Sequence, residues 1–399
     1  MPSESGLAIH MVVWNTFQND ARVRNEAETL QAAGYRVTVH ALHAPGSTQR
    51  HECLGSGVRV QRHGQREGTR LLALQRGQQA GSAIARAWLV VVRAWTHLLV
   101  LLALLRSRPD VLHAHDVNVL PTVWLASRLL RVPLVYDAHE VSTGREGYRS
   151  RRCVVAAVER CLMARSAATI TTTDSRARFF ARAYGIARPL VLHDRPRLVN
   201  PQRDEDRLRR ELGLTRPWPI VLYQGGLQPG RGLEGLITAM ARVPEAYLVF
   251  VGGGSLANRL REQVRASGLS ARVHFVPTVG LEQLPAYTAS ADIGVQPIEN
   301  TCLNHFTTDS NKLFEYVSAG LPVVASALPE ITRIVRRYEL GVLVKAGNVD
   351  ELAEAIRTLV DDVGMRARFR ANALEAAEAL SWDGQEKALV DLYRGISEG

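Results

Sequence analysis

Apolar runs of strand length alternate with helical patterns along almost the whole chain. Residues 8–13 form a short apolar run that ends in the polar loop WNTFQND, a helical pattern over 21–33 stops at Gly34, and a second run covers 35–40. This strand–loop–helix–strand opening predicts a parallel sheet. The rhythm continues with a strand at 57–60, a polar, glycine-dotted loop over 64–81, an apolar helix over 88–105 and strands at 110–116 and 133–140. Helices at 119–130, 154–165 and 175–184 and strands at 168–173 and 189–193 complete a first half, and the polar, proline-bearing stretch 194–206 predicts a linker.

A second alternation starts at Pro219. The strand over 220–224 runs into the glycine-rich turn Gly225-Gly226-Leu227-Gln228-Pro229-Gly230-Arg231-Gly232, and the strand over 248–251 into Gly252-Gly253-Gly254. The strand ending at Val276 is followed by a 277–280 loop that can offer backbone groups to a base, and another strand covers 293–297. Two doubly wound α/β halves follow, with a cleft expected between them: 1–196, 197–380, and a tail from 381 to 399. A length of 399 residues suits two such domains, each able to bury its own core.

Composition narrows the class. With 46% hydrophobic and 22% charged residues the chain reads as soluble and globular, and its net charge of +10 favours anionic partners. Aromatics at 6% and the lack of a finger spacing or RNA-binding signature place nucleic acid last. Cys53, Cys153, Cys161 and Cys302 form no C-x-x-C, which fits free thiols in a cytoplasmic protein, and the first residues lack a basic, apolar leader. The apolar run 88–105, interrupted by Arg93 and His97, falls short of a bilayer span and predicts a mostly core helix. Its flanking Arg86, Arg106 and Arg108, with the basic loop of Arg145, Arg149, Arg151 and Arg152, keep a second reading open, a patch resting on an anionic membrane at its inner face.

Candidate chemistry gathers at strand ends. In DSNKLFEYVSAGLPVVAS, residues 309–326, Asp309, Ser310 and Asn311 are of the type that caps a helix start and aims free N–H groups at an anion. Lys312 adds a charge there, Glu315 one turn on can accept from sugar hydroxyls, and Gly320 ends the helix before a buried strand. Arg231 can fork onto diphosphate oxygens. In the first half, Asp20 and Arg22 stand at a helix start near a strand end, Asp20 as plain N-cap or as a ligand group, while the tips HAHD and DAHE deliver His115, Asp116, His139 and Glu140 to one sheet edge. Those four groups leave a metal site, a structural cluster or a polar catalytic pocket open. The last is preferred, with His113 and Asp137 assigned to the core and no metal ligands expected.

The motifs NDARVRNEAETLQAAGYRVTV, PDVLHAHD, VYDAHE, YQGGLQPGRGLEGLI, LVFVGGG, SNKLFEYVSAGLPVVAS and SWDGQEKALVDLY together resemble glycosyltransferase family 4. The resemblance implies a GT-B fold of two Rossmann-like domains, an N-terminal acceptor side and a C-terminal donor side, with the tail helix crossing back to the first. It also implies metal-independent, retaining transfer from a UDP- or GDP-type nucleotide sugar to a glycan, lipid-linked or small-molecule acceptor. It places Arg231 and Lys312 on the diphosphate, Glu315 on the ribose and His115 beside the reacting oxygens. Gly225, Gly226, Gly252, Val276, Ser310, Asn311 and Leu313 complete the donor side, and Asp20, Arg22, Asp116, His139 and Glu140 line the acceptor side. Two positions depart from the family pattern: Thr307 stands where a first glutamate is usual, and Gly226 where an arginine is usual. An epimerase of the same fold and a non-catalytic nucleotide-sugar or carbohydrate-binding protein are the rival expectations.

Overall fold

The computed structural model describes residues 6–64, 83–198 and 206–398. The predicted loop over 64–81 therefore lies, apart from Gly64, outside the described residues, as does much of the 194–206 linker. The chain forms two compact units, Met1–His193 with Gln385–Gly399 and Asp194–Gly384, each described by itself.

The first unit carries β1 (Ala8–Val12), β2 (Arg36–Leu42), β3 (His51–Cys53), β4 (Arg59–His63), β5 (Val111–His115), β6 (Leu134–Ala138), β7 (Ala168–Thr171) and β8 (Leu190–Val191). They lie in the order β3-β4-β2-β1-β5-β6-β7-β8, all parallel except the edge pair β3–β4. β5 and β6 are buried along their whole length, as expected of strands covered by helices on both faces. Polar residues in them must therefore find partners inside the protein. The order reverses between β1 and β5, which opens a crevice at the carboxyl ends of the strands.

The second unit carries β9 (Ile220–Gln224), β10 (Tyr247–Val251), β11 (Val273–Val276), β12 (Ile293–Gln296), β13 (Val323–Ser326) and β14 (Gly341–Val344). Their order is β11-β10-β9-β12-β13-β14, with the corresponding switch between β9 and β12. Two buried clusters flank this sheet, one around Leu222, Val249, Phe314 and Tyr316, the other around Leu236, Phe250 and Ile356. The last helix, Glu386–Glu398, belongs to the first unit. It packs on the Ala21–Ala32 helix and buries Tyr393, whose hydroxyl pairs with His113 Nδ1 at 2.8 Å.

The apolar helix corrects its expectation. It runs over Ala83–Ser107; within Trp88–Ser107 an 18-residue window has a mean hydropathy of 2.0, and only 22% of that window is buried. Length and apolarity thus reach what a membrane span needs, and the helix is not mostly core. One stripe, Val92, Thr96, Val100 and Leu104, satisfies its packing, and among the described residues no further layer covers the opposite face, where Trp88, Val90, Val91 and Trp95 are each more than half exposed. Arg145 departs from the basic-loop expectation too, because it turns inward to Asp116 and Glu140, both at 2.8 Å.

Candidate functional site

In the first unit the parallel register of β5 and β6 sets His115 beside Asp137. Asp137 is fully buried and collects four donors. Arg22 forks onto it through Nε at 2.8 Å and Nη2 at 2.9 Å, His139 Nε2 lies at 2.9 Å and His115 Nδ1 at 3.3 Å. Burial opposes its charge, yet Arg22 and His139 outweigh that and hold the carboxyl well below its ordinary range. His139 is raised to about 10: burial works against protonation, but Asp137 and Asp116 prevail, so the ring is a cation at neutral pH. His115 moves the other way, lowered chiefly by burial despite Asp137. With Asp137 accepting from Nδ1, its Nε2, buried and without a hydrogen-bond partner among the described residues, is left as an acceptor.

His115, Asp116, His139, Asp20, Asn118 and Arg145 line a cleft of about 170 Å³ with Trp14 beside them. Asp20 has both roles left open by its spacing. It caps the Ala21–Ala32 helix by accepting from Val23 N at 3.2 Å, and it takes a hydrogen bond from Asn15 at 2.7 Å while lining the cleft. Asp116 sits at φ 67, a left-handed conformation uncommon for a non-glycine residue, which turns the chain at the strand tip. Glu140 stands at the margin, held by Arg145.

Arg22 does not reach the acceptor side as expected. It is buried behind the histidines, spent on Asp137 and on the Leu192 carbonyl at 2.7 Å. The core assignment of Asp137 is incomplete for the same reason, since this carboxylate orients both cleft histidines. Glu26, His113, His115 and Asp137 bring one ligand-type atom each within 4.8 Å of one another. Arg22 already forks onto Asp137 and stands 3.2 Å from Glu26, and burial followed by the Asp137 charge pushes the Glu26 carboxyl well up. A divalent cation would sit against a guanidinium and an imidazolium, so the cluster reads as a charge network. The metal reading does not suit it.

In the second unit, the turn after β9 and the start of the Asn311–Ser318 helix converge. A Cβ added to Gly225 would come within 2.7 Å of Lys312 Cε and 3.0 Å of Nζ, so glycine is what lets the ammonium lie against the backbone. Gly252 sits at φ +139, and a Cβ there would stand 2.2 Å from the Gly225 carbonyl oxygen. Gly252→Ala is accordingly expected to cost about 3 kcal/mol or more of stability, read as a fall in the urea unfolding midpoint.

Lys312 is lowered to about 8, first by burial and then by the Arg231 charge, with Glu315 partly opposing. Its Nζ lies 5.5 Å from the Tyr223 ring centroid, and neither Lys312 nor Arg231 has an ion pair among the described residues. Burial raises Glu315 against the hydrogen bond from Gln224 Nε2, and Gln224 is itself held by Thr288 Oγ1 at 2.8 Å. Gln224 was missed in the sequence. Its signal is a lone amide closing an otherwise apolar strand, IVLYQ.

The capping expectation is corrected. Ser310, at φ 54, occupies the N-cap position and no side chain caps the helix; Asp309 is buried instead. The first turn is left open, with Asn311 exposed beside it. Val276 and Leu313 are buried in the scaffold, Val276 lending its carbonyl to Gly252 N at 3.0 Å, while Gly226 is exposed and accepts from the Tyr223 hydroxyl at 3.0 Å. Thr307 is buried with its hydroxyl donating to the Leu303 carbonyl at 2.8 Å.

Both units match known protein families. Residues 204–376 match the family described as Glycosyl transferases group 1, and residues 20–193 match the Glycosyl transferase 4-like domain. A D-inositol 3-phosphate glycosyltransferase of Thermomonospora curvata is 27% identical over 321 residues, covering 72% of each chain. Its namesake in Corynebacterium glutamicum is 27% identical over 314 residues, covering 71% of this chain and 72% of that one. Sucrose-phosphate synthase of Thermosynechococcus elongatus shares the fold at a TM-score of 0.80 and 21% identity, over 98% of this chain and 99% of that chain. The Anabaena protein HepE, solved with UDP, does so at 0.72 and 18%, over 98% and 100%. With one match on each unit and these relatives, the chain belongs to the group 1 glycosyl transferases, the GT4 family of GT-B fold, and is a glycosyltransferase.

Proposed function

We propose that this enzyme transfers a glycosyl group, with retention of configuration, from a nucleoside diphosphate sugar to the hydroxyl of a carbohydrate, lipid-linked or small glycoside acceptor. The observation that carries the donor assignment is the pair of cations Lys312 and Arg231, close enough that Arg231 depresses the lysine, with Glu315 offsetting it only in part. Such a site is completed by a dianion. A diphosphate meets that need, with the open first turn of the Asn311–Ser318 helix adding N–H groups. Glu315, held by Gln224, is positioned to accept from ribose hydroxyls. The donor is of the UDP or GDP type, and the UDP carried by the Anabaena neighbour favours uridine.

In the first unit, the cleft of His115, Asp116, His139 and Asp20 receives the acceptor. Asp137 fixes His115 so that Nε2 accepts from the acceptor hydroxyl and orients its oxygen. The bond from the anomeric carbon to the diphosphate oxygen breaks as the bond to the acceptor oxygen forms on the same face, and the hydroxyl proton leaves with the diphosphate. Lys312 and Arg231 stabilise the charge that develops there, work that needs no metal. Four free thiols suit a reducing compartment, the cytoplasm.

A panel of UDP and GDP sugars offered with simple glycosides, in the presence of a chelator, tests this. We expect transfer with the donor's anomeric configuration kept, seen by NMR of the product, and no loss on chelation. Activity lost to the chelator and restored by magnesium or manganese defeats the metal-free scheme. Product formed without any acceptor indicates an epimerase, and nucleotide affinity with neither transfer nor donor hydrolysis a binding protein.

A further inference from the structure

We propose that the first unit rests on an anionic phospholipid surface through the outer face of three adjacent helices, Ala83–Ser107, Leu120–Leu130 and Arg152–Met163, lying along the bilayer without crossing it. The three helices pack side by side in chain order. Each presents apolar side chains to solvent on one face. On the first these are Trp88, Val91, Trp95 and Leu98, at 56%, 56%, 53% and 41% exposure, a spacing of three and four residues that holds one stripe. Leu125 and Leu129 on the second, at 41% and 59%, and Val154 on the third, at 65%, extend the patch across neighbouring helices. Scattered single exposed apolar residues are ordinary, but exposed apolar side chains repeated on three helices packed in series mark an interaction surface.

Charge chooses the partner. The first two helices contain no Asp or Glu, and Glu159, the single carboxylate of the third, is buried and bonded to Tyr136, Ser142 and Tyr184. All three helices carry exposed arginines, Arg106 on the first, Arg128 on the second, and Arg152 and Arg160 on the third, with Arg151 just before it. A stripe with tryptophans, on helices whose exposed charged side chains among the described residues are all cations, is the pattern that seats in the headgroup layer of an anionic membrane. A span is ruled out by what the other face does. Val92, Thr96, Val100 and Leu104 are buried in the unit, Arg93 is bonded to Asn118 at 2.7 Å, and His97 pairs with Thr122 at 2.8 Å.

The full chain is mixed with vesicles of phosphatidylcholine alone or with one third phosphatidylglycerol, and sedimented at low and high salt. We expect binding to the anionic vesicles only, weakening as salt rises, with a blue shift of tryptophan emission. Val91→Glu/Trp95→Glu abolishes the shift, and Arg128→Glu/Arg160→Glu weakens partitioning at least about tenfold. Both variants keep the wild-type melting temperature and transfer to a water-soluble acceptor, so failure of the donor and acceptor assignments is read separately from failure here. No binding to anionic vesicles overturns the proposal, as does equal binding by wild type and both variants. A concentration-dependent dimer in sedimentation velocity, dispersed by Trp95→Glu with no vesicle binding, overturns it in favour of a second copy of this chain.

Discussion

Lys312→Ala is expected to lower turnover at least about a hundredfold, the size measured when one donor is removed from a developing oxyanion. Lys312→Leu is expected to do the same while raising the melting temperature of the ligand-free enzyme. The two results share a cause. Burial and Arg231 together disfavour the ammonium and bring it to about 8, so the free protein holds a charge it would shed more easily than an exposed lysine. Lys312 as a whole is only part-buried, which keeps the cost to about 1–2 kcal/mol, or roughly 2–8 °C for a unit of this size.

The sign follows from the direction of the shift. The folded pKa lies below the unfolded one, so the destabilisation is fully present below about 8 and fades as pH rises toward the unfolded value near 10.5. Donor capture runs the other way, because the diphosphate needs the charged form. In the free enzyme kcat/KM should fall on the alkaline side with a midpoint near 8. Turnover near wild type in Lys312→Ala removes the residue from the donor site. An unchanged melting temperature in Lys312→Leu denies that the site is under charge stress.

Asp137→Asn is expected to cost about 3–5 kcal/mol of stability, because it leaves Arg22 and His139 as buried cations without the anion they share. Activity should fall about a hundredfold or more as well, since His115 loses the carboxylate that fixes its tautomer. The pH dependence gives a sharper reading. His139 is raised to about 10, so its contribution is complete below the unfolded value near 6.5 and is lost as pH climbs through 10. Asp137 is depressed, so its contribution is present above the ordinary carboxylate range and is lost on acidification. Urea titrations from neutral to alkaline pH should show stability declining in the wild type and a flatter profile in Asp137→Asn. Equal slopes in the two proteins remove the His139–Asp137 pair from the account.

The elements of the proposed donor site were legible because they are local. A strand that ends in glycines, followed by Arg231, and a helix start bearing Lys312 and Glu315, are each written within a few residues, and backbone preference carries them into the fold. The capping pattern at Asp309, Ser310 and Asn311 was legible in type but not in use, because Asp309 is drawn into the interior and Ser310 takes a left-handed φ. The acceptor-side reading found His115, Asp116 and His139 at strand tips and misjudged what lies behind them. LVYDA looks like any buried strand, and nothing within it says that its aspartate meets an arginine 115 residues earlier.

The chain by itself determined which segments become strands and helices, the alternation that makes two parallel sheets, and the charge and residue types offered at each strand end. It also determined that the helix over Ala83–Ser107 is apolar nearly all round, a property that cannot distinguish a core helix from a surface one. The tertiary structure alone decided which face of that helix has a layer over it. Through the register of β5 and β6 it decided that His115 and Asp137 stand together, and through burial that one cleft histidine is neutral and its neighbour charged. Secondary structure and charge come from bonds and neighbours along the chain, whereas pairing, exposure and protonation depend on residues brought together from far apart in sequence.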